Sequence, residues 1–360
     1  MRGENAKQSS MLMLMSPESR VPANHPIRSI KKIADAALAK LSPVFDEMYS
    51  ATGRPSIPPE RLLKATLLMA LYTIRSERQF CEQLDYNLLF RWFLDMSMVE
   101  ESFVPTVFTH NRTRLIAHDV AGEFFRAVVE QARGAGLMSS EHFTVDGTLI
   151  EAAASLKSFK KKDDDDTTPP DDPGNPSVDF HGEKRSNDTH ESTTDPDAKL
   201  ARKSNGTTAK LSYSAHALME NRNGLLVDFQ IDVADGLAER RMALELIDAN
   251  VPGNRRITLG ADRGYNTRSF VAECRARNVT PHVAEKKKYS AIDGRTTGSD
   301  GYAISLRVRK RVEEIFGWMK TVGNFRKTRY VGLGNNQLAA SMIGAAYNLI
   351  RIAKLLAMPA

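Results

Sequence analysis

Three acidic residues stand in settings that suit carboxylates with chemistry to do. Asp146 interrupts the apolar run Phe143-Thr144-Val145-Asp146-Gly147-Thr148-Leu149-Ile150. A charge inside such a strand is costly unless it faces a site or a cation. Asp262 follows Ile257-Thr258-Leu259-Gly260-Ala261 and precedes the turn Arg263-Gly264-Tyr265-Asn266. That is the carboxyl end of a buried-looking strand, where α/β sheets place ligand-binding residues. Glu313 belongs to a helical stretch in which Arg309, Glu313, Phe316 and Lys320, at i, i+4, i+7 and i+11, share a face. Such a set fits two-metal phosphoryl transfer. Hard Mg²⁺ ions about 3.5–4 Å apart need few protein ligands, activate the nucleophile and stabilise the leaving oxygen. Arg and Lys beside them hold phosphates. Each acid alone has an ordinary reading: Asp146 as part of an Asp-Gly turn, Asp262 as a helix cap, Glu313 as an ion-pair partner of Arg309 or Lys320. The combination in this order carries the chemical reading.

The elements that position these acids follow from periodicity. Within residues 26–49, Ile30, Ile33, Ala34, Ala37, Leu38 and Leu41 recur at helical spacing. A Gly/Pro-rich turn over 53–60 leads into further helices at 60–75, 76–84, 88–93, 106–116 and 118–134, with no strand before residue 142. Strands are predicted at 143–150, 211–220, 225–233, 256–261 and 279–284, and helices at 238–249, 267–277, 305–321 and 337–356. The order βββ–α–β–α–β, then a basic loop at 286–301 and helices, means an α/β fold: a mixed sheet flanked by helices, preceded by an all-helical N-terminal domain. The expected organisation is a loose segment 1–25, a helical, helix-turn-helix-like DNA-binding or dimerisation domain 26–142, and an α/β domain 143–356. A flexible polar insertion at about 158–207 interrupts the last. From Asp163 to Asp179 there are seven Asp and no basic residue, a composition that cannot bury a core.

At 360 residues, two domains are the prior. Apolar residues at 41% and charged residues at 26% exclude a wholly disordered chain. The formal charge of +6 is segregated. Residues 1–142 carry 17 basic and 16 acidic side chains, residues 143–285 carry 19 and 24, and residues 286–360 carry 14 and 4. An acidic centre followed by a segment of net +10 suggests a polyanion-binding surface. Two cysteines, Cys81 and Cys274, without a Cys-x-x-Cys, exclude a disulfide framework and a zinc ribbon. Met11–Met15 is too short for a signal-peptide core, and the tract 338–356 is broken by Asn348, Arg351 and Lys354, so no membrane span and a cytoplasmic location are expected.

The run Val145-Asp146-Gly147-Thr148, the block Gly260-Ala261-Asp262-Arg263-Gly264-Tyr265 and the Arg309…Glu313…Lys320 helix resemble the DDE transposases of bacterial insertion sequences, most of all the insertion-sequence family numbered five. That family's signature is Tyr, two residues, Arg, three residues, Glu, six residues, Lys. Arg309, Glu313 and Lys320 stand at those spacings, with Leu306 in place of the Tyr. Residues 53–94 are similar to the family's N-terminal helical domain, and the similarity extends from about residue 20 to 356. The resemblance implies an RNase H-like core with Asp146, Asp262 and Glu313 as catalytic metal ligands. Glu314 competes with Glu313, and the signature spacing decides between them. It further implies two Mg²⁺ ions, replaceable by Mn²⁺; double-stranded DNA as partner, both terminal inverted repeats and target; and a homodimer on DNA at the nucleoid, with no small-molecule substrate. The implied reaction is hydrolytic cleavage at the inverted repeats, then attack of the freed 3′-OH on target DNA. An RNase H-like endonuclease without strand transfer and a domesticated, non-catalytic DNA-binding protein are the alternatives.

Around the acids, Lys286–Lys288, Arg307–Arg311, Lys320, Arg326, Lys327 and Arg329 form a basic tract expected to contact DNA phosphates, as is Arg263. Tyr265, Trp318 and Tyr330 are candidates for base stacking, with Trp318 equally readable as core. In the helical domain Arg75, Arg78, Arg91, Arg112 and Arg114 are candidate DNA contacts, the last two after a possible recognition-helix start at 106–111; helix packing or dimer contacts are the equal alternative. His181, His190 and His216 match no zinc-ligand spacing. The run Asp163–Asp166 reads as solvated, with loose Ca²⁺ binding or shielding of the site from idle DNA as functional alternatives.

Overall fold

A computed structural model describes residues 16–50, 52, 56–162, 185–204, 206–236, 238–251 and 255–358. Among them, the regular elements before residue 142 are all helices: α1 (Pro17–Arg20), α2 (Ile27–Lys40), α3 (Ser42–Met48), α4 (Pro59–Leu71), α5 (Glu77–Tyr86), α6 (Leu88–Phe93), α7 (Thr106–Ala117) and α8 (Val120–Gly134). Local chemistry sets several starts. Pro59 occupies the first turn of α4, Ser76 Oγ accepts from the Gln79 N–H at 3.1 Å, and Asn87 Oδ1 accepts from Leu89 and Phe90 at 3.1 and 3.2 Å.

The strands are β1 (His142–Glu151), β2 (Phe159–Lys161), β3 (His190–Ser192), β4 (Lys199–Ala201), β5 (Lys210–Glu220), β6 (Leu226–Val233), β7 (Ile257–Ala261) and β8 (Val279–Val283). Helices α9 (Ala238–Asn250) and α10 (Arg268–Ala276) lie between β6, β7 and β8; α11 (Gly294–Thr297), α12 (Asp300–Val308), α13 (Val312–Thr321) and α14 (Leu333–Ala357) follow. In the main sheet β6 and β4 pair the outer edge of β5, which is antiparallel to β1; β1, β7 and β8 are parallel. Three antiparallel strands continued by helix-linked parallel strands in the order 3-2-1-4-5 form an RNase H-like sheet, as the strand order predicts.

One face of the sheet, with Phe143, Val145 and Leu259, packs on α9 and α10 through Leu246, Ile247 and Phe270. The other packs on α13 and α14. Helix α14 is apolar on nearly all sides and touches α2, α4, α7, α8 and β6, so a single hydrophobic cluster runs from Val21 to Ala353. The helical segment and the sheet therefore contribute to one apolar core. The polar residues of α14 have a specific use. Asn348 accepts from Leu226 N and donates to Leu226 O, both at 2.9 Å, while Gln337 accepts from Ile231 N at 2.7 Å and donates to Phe229 O at 3.0 Å. These amides satisfy the outer edge of β6, which would otherwise be left unpaired. No helix among the described residues is long and apolar enough to cross a membrane.

Two expectations change. The interval 158–207 is not uniformly flexible: β2 pairs β3, β4 pairs β5, and buried Asp195 accepts the Tyr213 hydroxyl at 2.6 Å. Sparse apolar residues such as Phe159 and Ala198, both buried, anchor these pieces. The stretch Asp163–Asp179 and His181 lie outside the described residues. The helix expected at 305–321 is α12 and α13, joined by one 3₁₀ turn at Arg309–Arg311. Arg311 supplies the reason for the break, donating to Asn221 O and Arg222 O at 3.0 and 2.7 Å and so tying this turn to the β5–β6 connection.

That connection is built on Glu220, which is fully buried. Its carboxylate accepts from the backbone of Ser139, Arg222, Asn223 and Leu225 at 2.8 to 3.0 Å. Glu220→Ala would strand several buried N–H groups at about 1–3 kcal/mol each. We expect a loss of at least about 3 kcal/mol, measured as a lower denaturant midpoint; a change below about 1 kcal/mol would contradict the role.

Candidate functional site

Asp146 sits inside β1, so Asp146-Gly147 is not a turn here. Strands β1 and β7 pair from His142↔Thr258 to Thr144↔Gly260. Two residues further along that parallel register, Asp146 on β1 comes level with Asp262 at the end of β7, on the same face. Beyond Thr144 the two strands no longer pair, which opens the sheet where both carboxylates stand. Asp262 Oδ1 accepts from Gly264 N at 2.7 Å and caps the 3₁₀ turn Arg263–Tyr265; Asp146 Oδ1 accepts from Gly147 N at 2.8 Å. Burial pushes the Asp146 carboxyl up to about 6, the charges of Asp262 and Glu239 add to that, and Arg309 opposes them.

The basic helix lies across this opening. An added Cβ at Gly260 would be 3.4 Å from Arg309 Cβ, and Lys320 Nζ donates to Thr148 Oγ1 at 2.6 Å. Thr144, Asp146 and Thr148 share one face of β1, and Gly260 is paired with Thr144. Arg309 and Lys320 therefore bracket Asp146 along the strand, with Phe316 buried between them. Burial lowers the Lys320 ammonium, and Lys203 and Arg326 add to the effect. Glu313 is exposed on this helix. Glu314, its neighbour, pairs with Arg351 at 2.9 Å. Leu306 packs beside Val271, Ile292 and Tyr302, an apolar contact that gives a DNA strand no polar group.

Several candidate contacts are used inside the chain. Tyr265 is fully buried, so base stacking by it is corrected to a place in the core. Trp318 packs edge-on against Tyr347 at 5.9 Å. Arg112 pairs with Glu77 at 2.7 Å and lies over Tyr330 at 4.7 Å; Arg329 lies over the same ring at 4.9 Å. Arg114 stacks on Tyr49 at 4.6 Å, and Arg91 donates to the carbonyls of Ser97 and Glu100 at 2.8 Å. These arginines hold helices together, the packing alternative for that region. Lys327 is exposed and pairs with Glu151 at 3.0 Å, and Arg263 is exposed at the rim of the candidate site.

Sequence reasoning passes over Glu239. It lies in the first turn of α9, and a Cβ added at Gly147 would be 3.3 Å from its Oε1 and 3.2 Å from His216 Nδ1. A helix-start Glu carries no motif; only the tertiary approach of α9 to β1 brings it near Asp146.

The donor set fits a hard divalent cation. Asp146 and Asp262 stand level in the strand register; burial chiefly raises the Asp146 carboxyl and the charge of Asp262 adds to it, and a bound cation would offset both. Among the described residues no three His, Cys, Asp or Glu side chains are gathered closely enough to hold an ion by themselves. Asp146 and Asp262 form an open pair, and Mg²⁺ commonly takes one or two carboxylates plus water and substrate phosphate.

An RNase H-like sheet with paired aspartates under a basic helix defines the class of phosphoryl-transfer enzymes acting on nucleic acid. The family model described as "Transposase DDE domain" matches residues 139–349, and that described as "Transposase domain (DUF772)" matches residues 15–114. The first spans more than half of the chain, which therefore belongs to the DDE transposases, enzymes that cleave and transfer DNA strands. No curated protein matches it by sequence. Among solved structures, the piggyBac transposase synaptic complex with hairpin DNA aligns over 93% of this chain and 76% of its own, at 10% identity and a TM-score of 0.43. A pre-cleavage Mos1 transpososome aligns over 84% and 82%, at 11% identity and a TM-score of 0.21. The mariner Mos1 paired-end complex with Mg aligns over 84% and 83%, at 14% identity and 0.19. The assignment rests on the family match.

Proposed function

We propose that this DDE transposase mobilises a bacterial insertion sequence of the family numbered five, binding its terminal inverted repeats, cleaving there and joining the 3′-OH ends to target DNA. The observation that carries the reading is the register of Asp146 beside Asp262 beneath the Arg309–Lys320 helix. Asp146 and Asp262 hold the divalent ions, with Glu313 as the third ligand. Glu313 stands one turn beyond Arg309 and before Lys320, the two residues that bracket Asp146, whereas Glu314 is turned to Arg351. Two bound Mg²⁺ or Mn²⁺ ions would supply Lewis-acid activation of the attacking oxygen and charge stabilisation of the leaving one. Arg309 and Lys320 position the scissile phosphate along β1, and Arg263 and Lys327 contact the flanking backbone. A pair of chains acts on two ends.

The test is a strand-transfer assay with pre-cleaved ends carrying the inverted repeats that flank the reading frame. Purified protein with Mg²⁺ is expected to join them to a target plasmid. Cleavage without joining would make it an endonuclease. Binding without either reaction would make it a non-catalytic DNA-binding protein.

A further inference from the structure

The three aromatic side chains whose positions suggest base stacking are all engaged inside the chain. Tyr265 is buried, Trp318 packs on Tyr347, and the Tyr330 ring carries the guanidinium groups of Arg112 and Arg329. A different ring is free. Tyr289 is 93% exposed, more than any other Tyr, Phe or Trp among the described residues, and no hydrogen bond, ion pair or ring contact engages its side chain there. It directly follows Lys286-Lys287-Lys288 in the loop that leaves β8.

The backbone at this residue is unusual. Tyr289 has a φ of +57°, in the left-handed region that bulky side chains rarely adopt. The other described non-glycine residues with positive φ, Thr73, Asp95, Asp119, Asn278 and Asn324, all lie within three residues of a helix end, where such a residue turns the chain. Tyr289 stands in an open loop. Strain kept at a side chain that touches nothing is a mark of a ligand-facing residue.

The loop itself is held at both ends. Asn266, buried just past the turn that Asp262 caps, donates to Ala284 O and Ser290 Oγ at 3.1 Å each and accepts from Ala291 N at 2.7 Å. Tyr302 of α12 donates to Val283 O at 3.0 Å. Strands β7 and β8 pair as far as Ala261↔Val283, and Ala284 N donates to Ala261 O at 3.2 Å. The loop therefore departs beside Asp262, at the carboxyl end of the sheet.

Lys287 and Lys288 are exposed, and among the described residues no ion pair engages any of the three lysines, so their charge is available to phosphates. An aromatic face held among such cations suits a nucleobase, because every base has a π face. Within a duplex those faces are covered by neighbouring bases, so only a base displaced from its stack can take the ring. We propose that Tyr289 stacks on an unstacked base of the inverted-repeat end bound at Asp146 and Asp262, while Lys286–Lys288 hold the adjoining phosphates. The inference rests on the reading of those aspartates as the cleavage site and adds a base-contacting residue to it.

The test is end binding by the full-length chain in Ca²⁺, by mobility shift, on duplexes that are fully paired or carry one mismatch moved stepwise across the cleavage point. Wild type is expected to bind about tenfold more tightly with the mismatch at one position, and an abasic site there should forfeit the gain. Tyr289→Phe should keep the preference. Tyr289→Gly should lose it with Tm unchanged or raised, since glycine suits this backbone. Lys287→Ala should weaken all the duplexes alike. A wild type without mismatch preference, or Tyr289→Gly that retains it, overturns the proposal. So does a Tyr289→Gly variant with lower Tm and equal losses on paired and mismatched DNA. Asp262→Asn, assayed for cleavage in Mg²⁺, separates the layers. Near wild-type cleavage overturns the two-aspartate reading and the placing of the base with it; lost cleavage without a mismatch preference in wild type leaves that reading standing, and only Tyr289 fails.

Discussion

Asp262→Ala is expected to reduce strand cleavage by on the order of 10³-fold or more, while leaving binding to the inverted-repeat ends within about twofold. A metal ligand at the reacting phosphate governs several kcal/mol of transition-state charge stabilisation, and each 1.36 kcal/mol is tenfold in rate. DNA affinity comes chiefly from phosphate contacts by cations, which this substitution leaves in place. The backbone cost is small, because Asp262 caps a single 3₁₀ turn through one bond to Gly264. Cleavage is to be read on labelled end duplexes in Mg²⁺, with end binding by mobility shift in Ca²⁺. A variant that still cuts and joins at near wild-type rates would remove Asp262 from the centre.

Asp146→Asn should have opposite effects on activity and on stability. It should suppress cleavage, as the loss of a proposed metal ligand would, yet it should stabilise the metal-free protein at neutral pH. The folded-state carboxyl is raised from its ordinary 3.8 to about 6, so the folded chain holds that proton more tightly than the unfolded chain. The resulting stability is fully present below about pH 4 and is lost as pH rises through about 6. At pH 7.5 the buried, ionised aspartate costs roughly 3 kcal/mol, a large share of a domain's net stability. Asparagine carries no such charge. Denaturant midpoints in EDTA should therefore favour the variant at pH 7.5 and converge with wild type near pH 4, and saturating Mg²⁺ should restore the wild type and not the variant. Equal midpoints in EDTA at pH 7.5 would show that the charge at residue 146 is not under strain.

Much of the architecture is legible from local pattern. The strand and helix order after residue 142 follows from runs short enough to read, such as Ile257–Ala261 and Val279–Val283. Asp146 and Asp262 stand out because an acid within or just after an apolar strand has few structural excuses. The break at Arg309–Arg311 is invisible, since Arg311 is a good helix former and only its distant carbonyl partners favour the 3₁₀ turn. The order within 185–204 is equally hidden, because the polar composition is offset by long-range bonds such as Asp195 to Tyr213. Arg112 and Arg329 read as DNA contacts because a charged side chain announces its charge and not its neighbour; Tyr330 and Glu77 claim both.

By itself the sequence determined the element order, the segregation of charge and the two aspartates, because each is written in residues close together along the chain. Only the tertiary structure decided which groups meet: Asp146 level with Asp262, α14 as the core shared by the helical segment and the sheet, and Glu239 beside Gly147. Such meetings depend on strand register and helix approach, set by packing between residues far apart in the chain, and no local pattern encodes them.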